Sequence, residues 1–496
     1  MKKLAFKGAG VLALAGFLSK ILAALYRFPY QNLVGDQGFY AFQQVYPFYS
    51  IITTLSLIAL PNFLSSLIHA SDQPEEETHQ FFQLSLILSV LSFLVLSLLC
   101  QPIASLMGQE KLAGPLLMAI LPLLLVPFLS LYRGRAQAKQ DMVTTATSQV
   151  IEQSVRVVLI ICAALLFTRL STNVYTISFL AMLGSFIGGL VALVYLMFSS
   201  PFKFQGLFTN FTALKPKGQI IQKFGMSSLV FTFFMIYMLI LQMIDVFFVK
   251  NALMHLPQIK TSNQAEILKG IYDRGQPFLQ LGLVFTTSIL TDSLPKLTKA
   301  GRISKKIWNN VTYLAIALTV GLVILLPEMN DVLFKSHDHV LSLQIFVCQI
   351  PLISMIQLYH HDLFLAGKNK ISGLILLSGL GIKILSVYPL TVSYGLNGAA
   401  LSNLISLCLV LILYSLYSKK FPSQLCNLRF WLAILMMVAV VLIARQFFMV
   451  SGRGLELLKL IILSGVGAAT FFKVFQMKPR DFLDQKAQDY LNVKLK

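Results

Sequence analysis

Long apolar runs recur from one end of this chain to the other, and they limit its fold more than any other feature. A helical run of about 20 residues crosses the roughly 30 Å hydrocarbon core of a bilayer. Charged residues make up only 12% of the 496 residues, whereas a soluble domain carries about 25%. Since the chain cannot cover a water-facing surface, we predict an all-α polytopic membrane protein.

The apolar runs predict about fourteen transmembrane helices. The first run follows Met-Lys-Lys like a secretory signal, but it continues to Tyr26 and many spans follow, so we predict a retained helix. Only Tyr394 and Gly395 separate the eleventh and twelfth spans. The predicted spans are 8–28, 43–69, 81–104, 112–132, 148–168, 175–198, 225–249, 276–295, 308–327, 342–366, 371–394, 396–418, 428–448 and 457–476.

Lysine and arginine fall mainly in alternate connections between these spans. With the N-terminus in the cytoplasm, about 25 basic residues lie inside and about 8 outside, as the positive-inside rule requires. This distribution explains the formal net charge of +20. Nucleic-acid binding would need basic residues clustered on one folded face, so we predict no nucleic-acid partner. We expect a multi-pass protein of the bacterial plasma membrane with both termini in the cytoplasm.

A short motif occurs twice, about 230 residues apart, which is typical of transporters built from duplicated halves. Gly38-Phe39-Tyr40 precedes Pro47-Phe48, and Gly270-Ile271-Tyr272 precedes Pro277-Phe278. Six spans separate the copies, which indicates a parallel repeat about an axis along the membrane normal. We therefore predict two pseudo-symmetric six-helix lobes and two further helices. The predicted divisions are 1–200 (N-lobe), 201–420 (C-lobe), 421–477 (spans 13 and 14) and 478–496 (a basic cytoplasmic tail).

Four basic residues fall within or at the ends of predicted spans, where a charge costs about 2.5–3.5 kcal/mol at the helix centre. They are Lys20, Arg27, Arg274 and Lys383. Lys20 and Arg27 are seven residues apart and share one helix face. Together the four predict a cationic cavity that binds an anionic group. For Arg27 and Arg274, the alternative is that their side chains reach the outer headgroups.

The acidic residues in the spans suggest two other roles. Glu152 and Arg156 are at positions i and i+4 of one helix, which predicts a structural ion pair. Asp245 and Asp292 are candidates for coupling to a cation or a proton, although charges near span ends are often simply solvated.

Other chemistry finds little support. The histidines occur as His337-Asp338-His339 and His360-His361, neighbours that point to different faces of a helix, and no further ligands are evident, so we predict no metal site. No GxxxxGK[ST] motif is present, and no cofactor is predicted. Transport would then draw on the membrane potential, Na⁺ or H⁺. Since no set of carboxylates or histidines clusters at a membrane face, we do not expect an enzyme.

Several motifs resemble one family of membrane transporters. Ser19-Lys20-Ile21-Leu22 precedes Tyr26-Arg27-Phe28-Pro29, and Asn32-Leu33-Val34-Gly35-Asp36-Gln37-Gly38-Phe39-Tyr40 follows. Further matches are Tyr132-Arg133-Gly134, Ser148 to Arg156, Gln242-Met243-Ile244-Asp245 and Tyr272-Asp273-Arg274-Gly275-Gln276-Pro277. The pattern resembles the Firmicutes branch of the oligosaccharide flippases, the group of the SpoVB, YabM and YtgP proteins, which is related to MurJ-type lipid II flippases.

The resemblance implies the fold of the MOP-exporter superfamily and alternating access, with a lipid-linked sugar carried from the inner to the outer leaflet. It also implies a cationic central cavity for the pyrophosphate and sugar. Lys20 and Arg274 match basic positions of that pattern, and Arg27 lies one position from another. The arginine-rich end of the second helix in Gram-negative members is replaced here by Leu60-Pro61-Asn62-Phe63-Leu64-Ser65-Ser66.

Three functions remain to be weighed. The leading one is a flippase for undecaprenyl-pyrophosphate-linked precursors, with lipid II ahead of exopolysaccharide or teichoic-type units. The second is a cation-coupled drug antiporter of the MATE type, which should place more carboxylates than basic groups in mid-membrane. The third, a membrane enzyme acting on lipid-linked sugars, lacks a convincing set of catalytic residues.

Overall fold

The computed structural model describes residues 21–170, 172–199, 215–300, 303–420, 427–447 and 452–476. These residues are almost entirely helical and include no β-strand. The first helices are α1 (Arg27–Thr54), α2 (Leu60–Ala70), α3 (Pro74–Leu106), α4 (Ala113–Ile120), α5 (Val126–Ala138), α6 (Met142–Leu170), α7 (Val174–Ser199) and α8 (Lys215–Leu253). The others are α9 (Ser262–Asp273), α10 (Gly275–Ala300), α11 (Lys305–Phe334), α12 (Val340–Val347), α13 (Gln349–Leu365), α14 (Asn369–Ser418), α15 (Leu428–Phe447) and α16 (Arg453–Phe475).

Within the described residues, eleven helical segments are long and apolar enough to cross a membrane. Two of them, Ile21–Ala70 and Asn369–Ser418, contain 50 residues each, and each is interrupted by a glycine with positive φ. In Asn369–Ser418 the interruption is at Gly395, where the sequence predicts a boundary between two spans. The all-α membrane fold is confirmed, and the count of fourteen spans stays a prediction.

The chain reverses direction at Gly35, inside the segment assigned as α1. Gly35 has φ 71° and ψ −178°, a conformation that glycine adopts without steric cost. Beyond this residue the rings of Tyr30 and Phe42 approach to 4.9 Å between centroids, whereas a straight helix would separate them by about 18 Å. Residues 27–34 and 36–54 therefore form an antiparallel pair, which brings residues distant in sequence together.

The helices expose apolar side chains and bury polar ones. On α3, Leu91, Leu94 and Leu98 are exposed, Leu98 to 82%. In the same protein Arg27, Arg133, Arg156 and Lys383 are buried. This arrangement suits a lipid environment, since hydrocarbon stabilises exposed leucine and the charges must find partners within the protein.

The contacts between residues divide the chain into two compact units. The first comprises Met1–Asp273 and Asn369–Gly395, and the second comprises Arg274–Lys368 and Leu396–Lys496. The predicted lobes, 1–200 and 201–420, follow the internal repeat and stay a prediction. Lys20 and the tail 478–496 lie outside the described residues.

Candidate functional site

Arg27 lies inside the first unit with no hydrogen-bond partner among the described residues. Its side chain is fully buried. None of its three guanidinium nitrogens, Nε, Nη1 and Nη2, makes a hydrogen bond there. The guanidinium carbon lies 4.5 Å from the centroid of the Tyr46 ring, and a cation–π contact of this kind offsets only part of the lost hydration.

The predicted ion pair between Glu152 and Arg156 is wrong in its partner. Glu152 Oε2 accepts a hydrogen bond from Arg133 Nη2 at 2.7 Å, and both side chains are buried. Arg133 also donates from Nε to Ser148 Oγ at 3.1 Å and from Nη1 to the Ser56 carbonyl at 3.3 Å. A neighbouring helix thus supplies the cation, because Arg133 reaches Glu152 while each of its three guanidinium nitrogens makes a hydrogen bond.

Arg156 is instead surrounded by tyrosines. It donates from Nη2 to the hydroxyl of Tyr26 at 2.9 Å and from Nη1 to Gln153 Oε1 at 3.1 Å. Its guanidinium carbon lies 4.5 Å from the ring centroid of Tyr49 and 5.4 Å from those of Tyr26 and Tyr46. All of these partners are neutral, so none of the contacts that Arg156 makes with the described residues supplies a counter-ion.

Tyr46 joins the two arginines, since both guanidinium groups lie against its ring. We call the set of Arg27, Arg156, Tyr26, Tyr46 and Tyr49 the arginine–tyrosine cluster. Within the described part of the chain neither arginine of the cluster forms an ion pair. Two buried positive charges without a directly paired carboxylate are costly, and Asp273 acts on Arg27 only as a nearby charge. The cluster therefore has the charge and the donors to bind an anion, in a conformation that admits one.

A second polar network in the first unit contains Asp245 and Lys383, two residues for which the sequence predicts different roles. Lys383 Nζ lies 2.5 Å from Asp245 Oδ1, and the Tyr272 hydroxyl donates to Asp245 Oδ2 at 2.8 Å. Asp273, which follows Tyr272 in the sequence, accepts a hydrogen bond at Oδ1 from Lys269 Nζ at 2.5 Å. Lys383 was expected among the cavity cations and Asp245 as an ion-coupling residue. In this structure each neutralises the other.

Arg274 belongs to the second unit, between α9 and α10. It is buried, donates to Asn330 Oδ1 at 3.4 Å, and its guanidinium carbon lies 5.4 Å from the Phe334 ring centroid. Its place in an anion-binding cavity stays a prediction. Asp292 belongs to α10, but its side chain lies outside the described part of the structure. Lys20 precedes the described residues.

The sequence reasoning missed Arg156 and the three tyrosines as members of the site. The i, i+4 spacing favoured Glu152 as the partner of Arg156 and thereby removed Arg156 from the candidate cations. One signal was present, namely the surplus of basic over acidic residues at 133, 152 and 156. One carboxylate cannot fully neutralise two arginines, so this stretch of sequence by itself supplies no counter-ion for one of them.

Comparison with known proteins supports the membrane-transporter assignment. The family described as "Polysaccharide biosynthesis protein" matches residues 5–301. The membrane protein YabM of Bacillus subtilis (strain 168) is 32% identical over 492 residues, covering 94% of this chain and 91% of YabM. The lipid II flippase MurJ of the same organism is 30% identical over 207 residues, which cover 38% of each chain.

Solved structures show the same fold. A lipid II flippase MurJ in an inward closed conformation aligns with a TM-score of 0.67 at 16% identity, covering 93% of this chain and 98% of that one. An inward-facing multidrug resistance MATE transporter of the MOP superfamily aligns with a TM-score of 0.58 at 15% identity, covering 82% and 94%. The predicted fold class and family resemblance are confirmed. The chain belongs to the polysaccharide biosynthesis protein family and has the helical membrane fold of the MurJ and MATE transporters.

Proposed function

We propose that this protein moves undecaprenyl-pyrophosphate-linked sugar precursors of the cell envelope from the inner to the outer leaflet of the bacterial plasma membrane. Lipid II is the first candidate cargo. The observation that carries the proposal is the buried guanidinium of Arg27, which makes no hydrogen bond among the described residues. The partial match to the lipid II flippase MurJ supports the choice of cargo.

A pyrophosphate supplies what the arginine–tyrosine cluster lacks. Its oxygens accept hydrogen bonds from guanidinium groups, often in pairs, and a bond between charged groups is about twice as strong as one between neutral groups. Arg27 offers three nitrogens that make no hydrogen bond among the described residues, and Arg156 adds a second positive charge against the same Tyr46 ring. The tyrosine rings present flat faces of the kind that stack on sugars and stabilise cations.

The cluster is closed in this structure, because Arg27 and Arg156 are both buried. A headgroup therefore reaches it only after the helices of the site move apart. Transport requires that the two conformations differ in affinity for the cargo. Closing onto an empty site leaves Arg27 unsatisfied, and this cost favours the open form until a headgroup binds.

Exopolysaccharide and teichoic-type precursors carry related phosphate linkages, so the cluster fits them by the same chemistry. A MATE-type drug antiporter is a poorer fit. A carrier of cationic drugs needs unpaired carboxylates in mid-membrane, whereas here Glu152 is paired with Arg133 and Asp245 with Lys383.

The test is complementation of a Gram-positive strain depleted of its own lipid II flippases. We expect the wild-type chain to restore growth and surface-exposed lipid II, and Arg27→Ala to lose this activity while its membrane level is kept. Arg27→Lys should restore part of it, because a lysine keeps the charge without the paired donors. The matched control is Arg135→Ala, since Arg135 forms its ion pair with the exposed Glu75, which is not a member of the cluster.

Full activity in Arg27→Ala would contradict the anion-binding role of the cluster. Failure of the well-expressed wild-type chain to restore growth would exclude lipid II as cargo. The same variants would then be assayed with capsule and teichoic-type polymers.

A further inference from the structure

The buried ion pair of Asp245 and Lys383 bears on how transport is energised. We propose that the ammonium group of Lys383 is a built-in counter-cation for Asp245, so that this protein moves its anionic cargo without binding an alkali cation at that carboxylate. The statement about cargo transport rests on the proposed function. Its first test, however, measures ion binding and does not depend on the cargo.

Each oxygen of Asp245 already faces a donor of this chain in this conformation. Lys383 Nζ lies 2.5 Å from Oδ1, and the Tyr272 hydroxyl donates to Oδ2 at 2.8 Å. The side chains of Lys383 and Asp245 are 0% and 2% exposed. An alkali cation would have to displace a covalently attached ammonium group from a site closed to water.

The pair joins three elements of the first unit. Asp245 is in α8, Tyr272 is in α9, and Lys383 is in the part of α14 that precedes Gly395. Lys269 and Asp273, which pair with each other, act electrostatically on Lys383 and Asp245 respectively. These four charged groups sum to zero, and Arg27, which also acts electrostatically on Asp273, adds a positive charge, so the network needs no bound cation.

Charge balance predicts what happens when the lysine is lost. Burying a charged carboxylate in the protein interior is unfavourable unless the group is paired, protonated or bound to a cation. Lys383→Met keeps a side chain of similar length and removes the charge. Asp245 then needs a substitute, and a sodium ion or a proton can provide it.

The first experiment measures the thermal stability of the purified protein in detergent, in sodium chloride and in choline chloride of equal ionic strength. We expect the wild-type Tm to be the same in both salts. For Lys383→Met, sodium should raise the Tm relative to choline by about 2–4 °C, the shift that about 1 kcal/mol of binding gives in a large domain. Stabilisation of this variant by mild acid in place of sodium would equally show that Asp245 had lost its counter-cation.

The double variant Lys383→Met/Asp245→Asn is the matched control, because it removes the carboxylate as well as the lysine. It should respond to neither sodium nor acid. A sodium-dependent Tm in the wild-type protein would overturn the proposal. A Lys383→Met variant that responds to neither sodium nor acid would overturn it as well.

The second experiment measures flipping of a lipid-linked glycan in vesicles. Wild-type flipping should be equal in the two salts, and Lys383→Met should flip in sodium but not in choline. If the wild-type protein flips the lipid only in sodium, the proposal that Lys383 is a built-in counter-cation is overturned. If the wild-type chain flips in neither salt, the proposed function fails, and the stability experiment still decides the ion-binding proposal by itself.

Discussion

Three buried arginines of the first unit are stabilised in three different ways. Arg133 has a carboxylate and two further acceptors. Arg156 has a phenol hydroxyl, an amide oxygen and three aromatic rings. Among the described residues, Arg27 lies against one aromatic ring and makes no side-chain hydrogen bond. This order runs from a structural ion pair to an unsatisfied cation, and it predicts that substitutions of these residues will have different effects on stability and on transport.

Glu152→Gln tests the structural pair. Removing one partner of a buried ion pair leaves the other charge uncompensated, at a cost of about 3–5 kcal/mol. We expect Glu152→Gln to lower the Tm and the membrane level of the protein markedly. The double variant Glu152→Gln/Arg133→Gln should lose less than the sum of the single changes, because it removes both charges.

The control is the corresponding double variant with Arg156→Gln. Since Arg156 does not pair with Glu152, we expect the coupling energy between these two residues to be clearly smaller than that between Glu152 and Arg133. Coupling between Glu152 and Arg156 as strong as that between Glu152 and Arg133 would restore the i, i+4 pairing and contradict the structure.

At the scale of elements, one carboxylate fastens α9 to the rest of the first unit. Glu266 accepts hydrogen bonds from Gln37 at 2.9 Å, Gln109 at 2.6 Å and Tyr175 at 2.7 Å. The donors come from α1, from the turn after α3 and from α7. At Gly270 a Cβ atom would lie 2.1 Å from the Asp36 carbonyl oxygen, so only glycine allows α9 to pack this closely on α1.

The Glu266 contacts predict a pH-dependent stability. Burial alone would raise the pKa of the Glu266 carboxyl, but the hydrogen bonds from Tyr175, Gln37 and Gln109 hold it below its ordinary value. A lowered pKa in the folded state means that the stabilisation is present above the ordinary pKa of about 4.3 and is lost as the pH falls through the folded value.

We expect the Tm difference between wild type and Glu266→Gln to be largest above about pH 4.3 and to shrink in more acidic buffer. Tyr175→Phe, which keeps the carboxylate and removes one donor, should move this loss of stability to higher pH. A Tm difference that stays constant over the acidic range would show that the charge of Glu266 does not fasten α9.

At the scale of the whole molecule, the direction of insertion is set by the basic residues outside the spans. Reporter fusions at Lys215 and Lys299 should both report the cytoplasm, and a fusion at Lys260 should report the outside, since one predicted span separates it from each of them. Lys215 begins α8, Lys299 lies near the end of α10, and Lys260 lies just before α9. An external signal at Lys215 or Lys299 would overturn the predicted topology.

The sequence alone determined the class of the protein. Only α-helices and closed β-barrels satisfy the hydrogen bonds of the backbone in lipid. The long, continuous apolar runs and the low charge content of this chain select the helical fold. The breaks near Gly35 and at Gly395 fall where the sequence changes from one span to the next. These properties are local or compositional, and they can be obtained without knowing which helices are neighbours.

Only the tertiary structure decided which charges are paired. Glu152 lies four residues from Arg156 and nineteen from Arg133, yet it pairs with Arg133. Asp245 and Lys383, candidates for separate tasks in the sequence, form one buried pair. Burial makes an unpaired charge so costly that partners are chosen by packing across helices. Spacing within one helix does not contain that information, and so the arginine–tyrosine cluster emerged only from the fold.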